Sequence, residues 1–320
     1  MVTQNRSLFL LYNSTDTEKN QIGDGNIILL CFLGILSCFI ISANVFVITL
    51  VYRTSYLKTI TNYCLTCLAV SDLLMGVIVV PMVVTCNTVK TRNTCIAMDF
   101  SSRFISVSTI MHLLLVAIER YIMIVFPLKY PRLVTKGRIR GGLVGLWGFS
   151  LAVTLVQLSW IQFDKNIKKE ASIAKIEVIY SFVGICSIVL IPLLLMFLVY
   201  GHIFVALKRQ VKKIAQQLPH LMKVSKRRQV QLKAVRVFAT MILAFILGRL
   251  PYFLSAFLND MKVGYRVPVE VDLIFFFLHF LTSLVNPIIY TFFKEDFKKA
   301  FCSLVCRKQD DGLPTDIAMA

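Results

Sequence analysis

Residues 273–292 read LIFFFLHFLTSLVNPIIYTF, with no acid, lysine or arginine among them. A helix rises about 1.5 Å per residue, so a run of this length crosses the roughly 30 Å of hydrocarbon in a bilayer. The run extends to 269–292, and others like it lie at approximately 26–52, 59–85, 95–126, 137–160, 176–208 and 229–258. In lipid every backbone polar group must be satisfied internally, so seven such runs predict an all-α bundle of seven transmembrane helices. Composition points the same way. Of 320 residues, 57% are hydrophobic and 16% charged, with mean hydropathy +0.73, against about 45–50% and 25% in soluble domains. An ordinary soluble domain is excluded. The first run begins too far in and is too long for a cleaved signal peptide, and is expected to act as signal and anchor together. No internal repeat is visible, which weighs against transporters built from paired repeats.

An odd number of crossings puts the two ends on opposite sides. Of the 35 Lys and Arg, 23, counting Arg120 and those at the ends of runs, fall on the side of the loops after runs one, three and five and of the C-terminal tail, and 10 on the other side; only Arg103 and Arg249 remain, deeper within runs. The positive-inside rule makes the heavier side cytoplasmic and the N-terminus extracellular. Topology thus explains the net charge of +18, and nucleic acid is not expected as a partner, because no basic domain stands free of the bilayer. Asn5-Arg6-Ser7 and Asn13-Ser14-Thr15 are glycosylation sequons on the outer side of this topology, although so short a motif is often unused. The expected organisation is a glycosylated extracellular head over 1–25, the bundle over 26–292, a membrane-surface helix over 293–306 and a cytoplasmic tail over 307–320, in the plasma membrane.

Only Cys86 and Cys95 of the nine cysteines lie near the outer face, where oxidation is permitted. Cysteines inside the runs are read as small apolar packers. Cys302 and Cys306 follow a basic amphipathic stretch, 294–299, suited to the inner leaflet, and are either palmitoylation sites or free thiols.

Polar and helix-breaking residues are costly inside a bilayer, so each needs a task or a partner. Here they fall in order: Asn44 in the first run, Leu68-Ala69-Val70-Ser71-Asp72 in the second, Glu119-Arg120-Tyr121 ending the third, Trp147 in the fourth, Pro192 with Tyr200 in the fifth and Asn286-Pro287-Ile288-Ile289-Tyr290 in the seventh. This set resembles the rhodopsin-like (class A) G-protein-coupled receptors over residues 26–306. Within that family the framework of residues 57–63, Pro81 with Thr85, Leu133-Val134-Thr135 and residues 203–210 is most similar to adenosine receptors. The resemblance implies a receptor that passes the signal of an unidentified small molecule, or a constitutive signal, to a heterotrimeric G protein, with no cofactor. The likeness at 203–210 tilts toward receptors that raise cyclic AMP. No paired carboxylate, metal cluster or nucleophile with a base stands in the sequence to support an enzyme.

The resemblance also assigns roles. Arg120 is held at rest by Glu119 and released on activation toward Tyr200 and the G protein; a pair at a helix end that merely snorkels to the interface is the plainer alternative. Pro287 removes a backbone donor from the seventh run, and Asn286 and Tyr290 can satisfy what it exposes. Pro192 and Pro251 are expected to kink runs five and six, the sixth being the activation lever. Pro127-Leu128 is read as an apolar knob for the G protein, and Phe297 with its neighbours as the membrane-surface helix.

Three departures from the family stand out. The family joins the cysteine matched by Cys95 to one in the second extracellular loop, yet residues 160–176 contain none. Either Cys95 pairs with Cys86 across residues 87–94, or both thiols are free. Next, Arg249 replaces the family's switch tryptophan. An unpaired guanidinium is not tolerated at that depth, so Arg249 either reaches Asp72, taking the place of the sodium ion the family holds there with positions matched by Thr109, Ser283 and Asn286, or turns to a watery pocket. Finally, the ligand positions of the amine and adenosine receptors are altered. Ser102 replaces the amine-binding aspartate, Ala256 the purine-gripping asparagine and Phe280 a histidine. The remaining candidate pocket is Ser102, Arg103, Ser106, Tyr252, Phe253 and His279, aromatic with one or two cations; the alternative is that these residues pack as core, with Arg103 satisfied by Asp99 one turn away. A second reading of the whole chain is a non-signalling partner, frozen by Arg249, that traffics or modulates another receptor.

Overall fold

The computed structural model describes residues 19–161, 167–217, 222–261 and 267–306. Seven of its helices are long and apolar enough to cross a membrane: Ile27–Arg53, Ile60–Val89, Arg92–Val125, Lys136–Ser159, Val178–Gln210, Val235–Leu258 and Val269–Phe293, referred to below as spans one to seven. A one-turn helix, Tyr130–Leu133, joins spans three and four, and a terminal helix, Glu295–Cys306, follows span seven. The seven-helix architecture is the one the hydropathy pattern predicts, and the short final helix is the one the family resemblance implies.

Burial is inverted relative to a soluble protein. Large apolar side chains such as Phe197, Leu247 and Val144 face outward, while Asn44, Ser71, Asp72, Ser108, Thr109 and Arg249 are wholly buried. A bilayer produces this arrangement, because lipid tails solvate leucine as well as a protein core does and only the bundle interior can partner a polar group. Span one packs on two and seven, two on three, three on four and five, five on six and six on seven.

Two spans contain a π-helical turn, Met75–Val79 and Ile185–Leu190. Each lies just before a proline, Pro81 and Pro192. A proline ring meets the carbonyl four residues earlier, here Val77 and Ile188, and the wider π turn moves that carbonyl aside. Ser37 donates to the Gly76 carbonyl in the first of these turns at 2.9 Å, binding span one to span two. Spans two and three are joined by a tight reversal in which Lys90 adopts a left-handed conformation, φ 56°, and Thr91 caps span three by accepting from the Thr94 amide. The Cys86–Cys95 disulfide closes this turn, with Cα atoms 4.8 Å apart.

The terminal helix is amphipathic. Phe297 and Ala300 are buried, Lys298 and Lys299 exposed, and Phe301 packs edge-on against Phe46 of span one, ring centroids 5.9 Å apart.

Candidate functional site

The middle of the bundle holds a charged side chain, which is costly to keep inside a bilayer. Arg249 of span six is fully buried. Its Nη2 lies 3.5 Å from Asp72 Oδ1 of span two and donates to Ser283 Oγ at 2.8 Å, while its Nε donates to Thr282 Oγ1 at 2.9 Å. Asn286 donates to the other Asp72 oxygen at 2.9 Å. Attraction across 3.5 Å is worth roughly 5 kcal/mol at an effective dielectric near 20. Desolvation costs several kcal/mol for each ion, so the pair alone does not cover both. The two hydroxyls and the amide supply the difference. Nη1 has no hydrogen-bond partner among the described residues. Arg249 therefore turns to Asp72, not to a watery pocket, and ties spans two, six and seven together. Thr109 is buried and donates to the Ile105 carbonyl of its own helix at 2.9 Å.

The close approach of spans six and seven depends on Gly248. A Cβ at this position would collide with Thr282 and lie 3.0 Å from the Leu278 carbonyl. Glycine next to Arg249 thus lets the guanidinium reach the hydroxyls of the facing helix. Asn44 adds a tie from span one, donating to the Ser283 carbonyl at 3.1 Å.

At the end of span three, Glu119 is buried and Arg120 nearly so. Arg120 Nε is 3.3 Å from Glu119 Oε2, and its guanidinium lies 5.1 Å above the Phe238 ring of span six. Glu119 Oε1 accepts from Thr61 of span two at 2.9 Å and from the Tyr130 hydroxyl at 2.7 Å. Burial pushes the Tyr130 phenol up, and its bond to the Glu119 carboxylate adds to the shift. Tyr200 is buried nearby, and Tyr121 packs against Phe126 and His202. Pro127 is exposed and Leu128 is 93% exposed, an apolar side chain presented to solvent at the turn after the span. Tyr290 is fully buried with its ring 5.5 Å from Phe297. Pro251 and Pro287 both sit inside continuous helices.

A polar cluster that the sequence reading overlooked locks the start of the terminal helix. Lys294 is buried; its ammonium donates to Asn62 Oδ1 and, at 2.8 Å, to Asp296. Asn62 also donates to Asp296 at 3.2 Å and to the Leu57 carbonyl at 2.9 Å. Burial pushes the Lys294 amine down to about 8 against the pull of Asp296. Burial alone would raise Asp296, but Lys294 and the amide of Asn62 outweigh it and hold the carboxyl below its ordinary range.

At the opposite end the six candidate pocket residues divide. Tyr252, Phe253 and His279 form one aromatic cluster, with the His279 ring 4.5 Å from Tyr252 and, edge-on, 5.7 Å from Phe253. Neither His279 nitrogen nor the Ser106 hydroxyl has a hydrogen-bond partner among the described residues, although both side chains are buried. Arg103 belongs to another group: its Nε donates to both Asp99 oxygens at 3.1 Å, and Gln157 of span four donates to Asp99 at 3.0 Å. Ser102 is half-buried. Asp99–Arg103 is the i,i+4 pair that the spacing suggests; Gln157 gave no signal, since nothing local relates span four to span three.

Cys302 is an exposed thiol. Asn5, Asn13 and the tail 307–320 lie outside the described residues, as does the Cys306 side chain.

Residues 43–290 match the 7 transmembrane receptor (rhodopsin family). The chain is similar to the 5-hydroxytryptamine receptor 1D of Rattus norvegicus, 25% identical over 87% of this chain and 88% of that receptor. It is also similar to the histamine H2 receptor of Homo sapiens, 26% identical over 86% and 78%, and to the adenosine receptor A2a of Homo sapiens, 29% identical over 84% and 71%. Amine and adenosine receptors thus stand at comparable identity, and the adenosine-like framework is one likeness among several.

Proposed function

Because this chain belongs to the rhodopsin family of seven-transmembrane receptors, we propose that it passes a small-molecule or constitutive signal to a heterotrimeric G protein by shifting its bundle between two states. The observation that carries the reading is the Glu119–Arg120 pair, braced by Thr61 and Tyr130 at one end of the bundle beside the exposed Leu128. In the resting state these bonds hold the charges inward. Release of Arg120 toward Tyr200 opens the surface that the G protein meets, with Pro127 and Leu128 inserting beside it.

The finer reading follows the charge distribution and the framework. The head 1–25 is extracellular and carries glycans at Asn5 and Asn13, and the tail is cytoplasmic with palmitate at Cys302 and Cys306. Signalling runs through cyclic AMP, as the adenosine-like segment 203–210 suggests. The ligand sits against Tyr252, Phe253 and His279, reaches Ser106, and approaches Ser102 and Arg103. The unpartnered His279 nitrogens and Ser106 hydroxyl support this placement, since buried polar groups without partners are rare. Arg249 takes the place of the family's sodium ion, because its charge already neutralises Asp72.

One observation favours the second reading, a non-signalling partner of other receptors. Arg249 clamps three spans that must move relative to each other if the bundle is to switch. Cyclic AMP in cells expressing the wild-type chain, with and without adenosine, separates the two. Basal or ligand-driven signal abolished by Arg120→Ala establishes the receptor; silence in every condition, with the protein at the surface and other G-protein readouts also flat, moves the reading away from adenosine and leaves another ligand or the partner.

A further inference from the structure

A cleft of ≈ 260 Å³ opens between spans six and seven, lined by Lys233, Arg236, Val237, Thr240, Ile289 and Phe293. Its polarity changes along its length. Lys233 lies just before span six and Arg236 in its first turn, while Val237 and Thr240 lie deeper; opposite them, Phe293 ends span seven and Ile289 is one turn further in. Cations thus stand at the rim and hydrocarbon below, the same gradient that a lipid leaflet presents from its headgroups inward.

The cations are available to an added anion. Arg236 is exposed and has no acidic partner among the described residues. Lys233 pairs with Glu295 of the terminal helix at 3.1 Å, but both side chains are well exposed, at 63% and 41%, and such pairs contribute little. Lys298 and Lys299, also exposed on the terminal helix, keep the neighbourhood basic. The walls are apolar and the cleft is far larger than the about 10–15 Å³ that a single water requires.

We propose that this cleft binds an anionic phospholipid of the surrounding leaflet, its phosphate on Arg236 and Lys233 and the upper part of one acyl chain against Val237, Ile289 and Phe293. A soluble phosphate would leave the apolar walls unused. A zwitterionic lipid would bring its own ammonium beside two cations. The bound lipid bridges spans six and seven at the end where Lys233 already links span six to the terminal helix, so it adds a brace between these elements.

The full chain is reconstituted in nanodiscs of phosphatidylcholine with phosphatidylglycerol as the minor component, and the lipids retained after release into detergent are counted by native mass spectrometry. Arg236→Ala reduces retained phosphatidylglycerol about tenfold, the loss of one charge-assisted hydrogen bond to the phosphate. Thr240→Phe, which fills the cleft without changing charge, reduces it similarly. Lys298→Ala, outside the cleft, removes only attraction to the surface and costs clearly less, and an unchanged unfolding temperature in the nanodisc shows that each variant still folds. Wild-type retention in either Arg236→Ala or Thr240→Phe overturns the proposal, as does an equal loss in Lys298→Ala, which would mean attraction to the basic surface at large.

Discussion

Arg249 of span six and Asp72 of span two, 177 positions apart in the chain, meet at 3.5 Å with neither side chain exposed. Their charges cancel in the one region of the protein where an uncompensated charge is least tolerated. Removing a single partner leaves the other buried and alone. Arg249→Met is expected to destabilise the bundle by about 3–5 kcal/mol, and the double variant Arg249→Met/Asp72→Asn to recover most of the loss. Thermal unfolding of the purified variants in detergent tests this; equal losses in the single and double variants would show that the charge pair is not the cause.

The same pair bears on sodium. With Arg249 in place the site carries no net negative charge, so wild-type stability and signalling should be flat between sodium and a large organic cation at equal ionic strength. Arg249→Trp leaves Asp72 with Asn286 and Ser283 as oxygen donors and should make the protein sodium-sensitive. A flat response in Arg249→Trp as well would remove sodium from the account.

Thr61 and Tyr130 both donate to Glu119, and on the proposed reading these bonds restrain Arg120 through it. A hydrogen bond to a charged group is worth about 1.5–3 kcal/mol, so Tyr130→Phe should shift the resting equilibrium toward the open state by up to that amount. Basal cyclic AMP should rise severalfold in Tyr130→Phe and fall in Arg120→Ala. No rise in Tyr130→Phe would mean that this hydroxyl does not restrain the switch.

The terminal-helix junction should respond to pH. The folded-state Lys294 amine titrates near 8, below its ordinary value of 10.5. Between those values the unfolded chain binds the proton that the folded chain has released, so stability rises with pH across this window and the full burial cost applies below it. Asp296 is lowered in the folded state, so its contribution is present above the ordinary carboxylate pKa and is lost as pH falls through its folded value. The wild-type unfolding temperature, compared with that of Lys294→Gln from about pH 7.5 to 10, should show the excess slope only in the wild type. Parallel slopes would contradict it.

The disulfide closes a short loop between Cys86 and Cys95. Its loss should cost about 2–4 kcal/mol, equally in Cys86→Ser, Cys95→Ser and the double variant. Non-reduced digests analysed by mass spectrometry provide the direct check: both thiols recovered free would show the bond absent from the protein.

Much of this architecture is legible in the chain itself. Transfer into lipid is nearly additive along a sequence, so seven apolar runs announce seven helices without knowledge of any contact. Cost inside the bilayer likewise marks Asp72, Arg249, Glu119, Arg120, Asn286 and Pro287 before their neighbours are known. Arg249 had only one acid at comparable depth to turn to, which is why Asp72 was a natural expectation. Thr109 satisfies its hydroxyl on the Ile105 carbonyl of its own helix, as a threonine in a helix can.

Tertiary structure alone decided the rest. Tyr130 reaches Glu119 only because the chain reverses after Phe126, and Lys294 reaches Asn62 only because the terminal helix folds back toward span two. Gly248 mattered for how near span seven comes, a distance with no periodicity to betray it. Hydropathy is a property of each residue and its solvent, so the sequence by itself determined which groups must leave water and which must find partners. The rotation and spacing of the helices determined which partners they found, because those contacts join positions that share no local pattern.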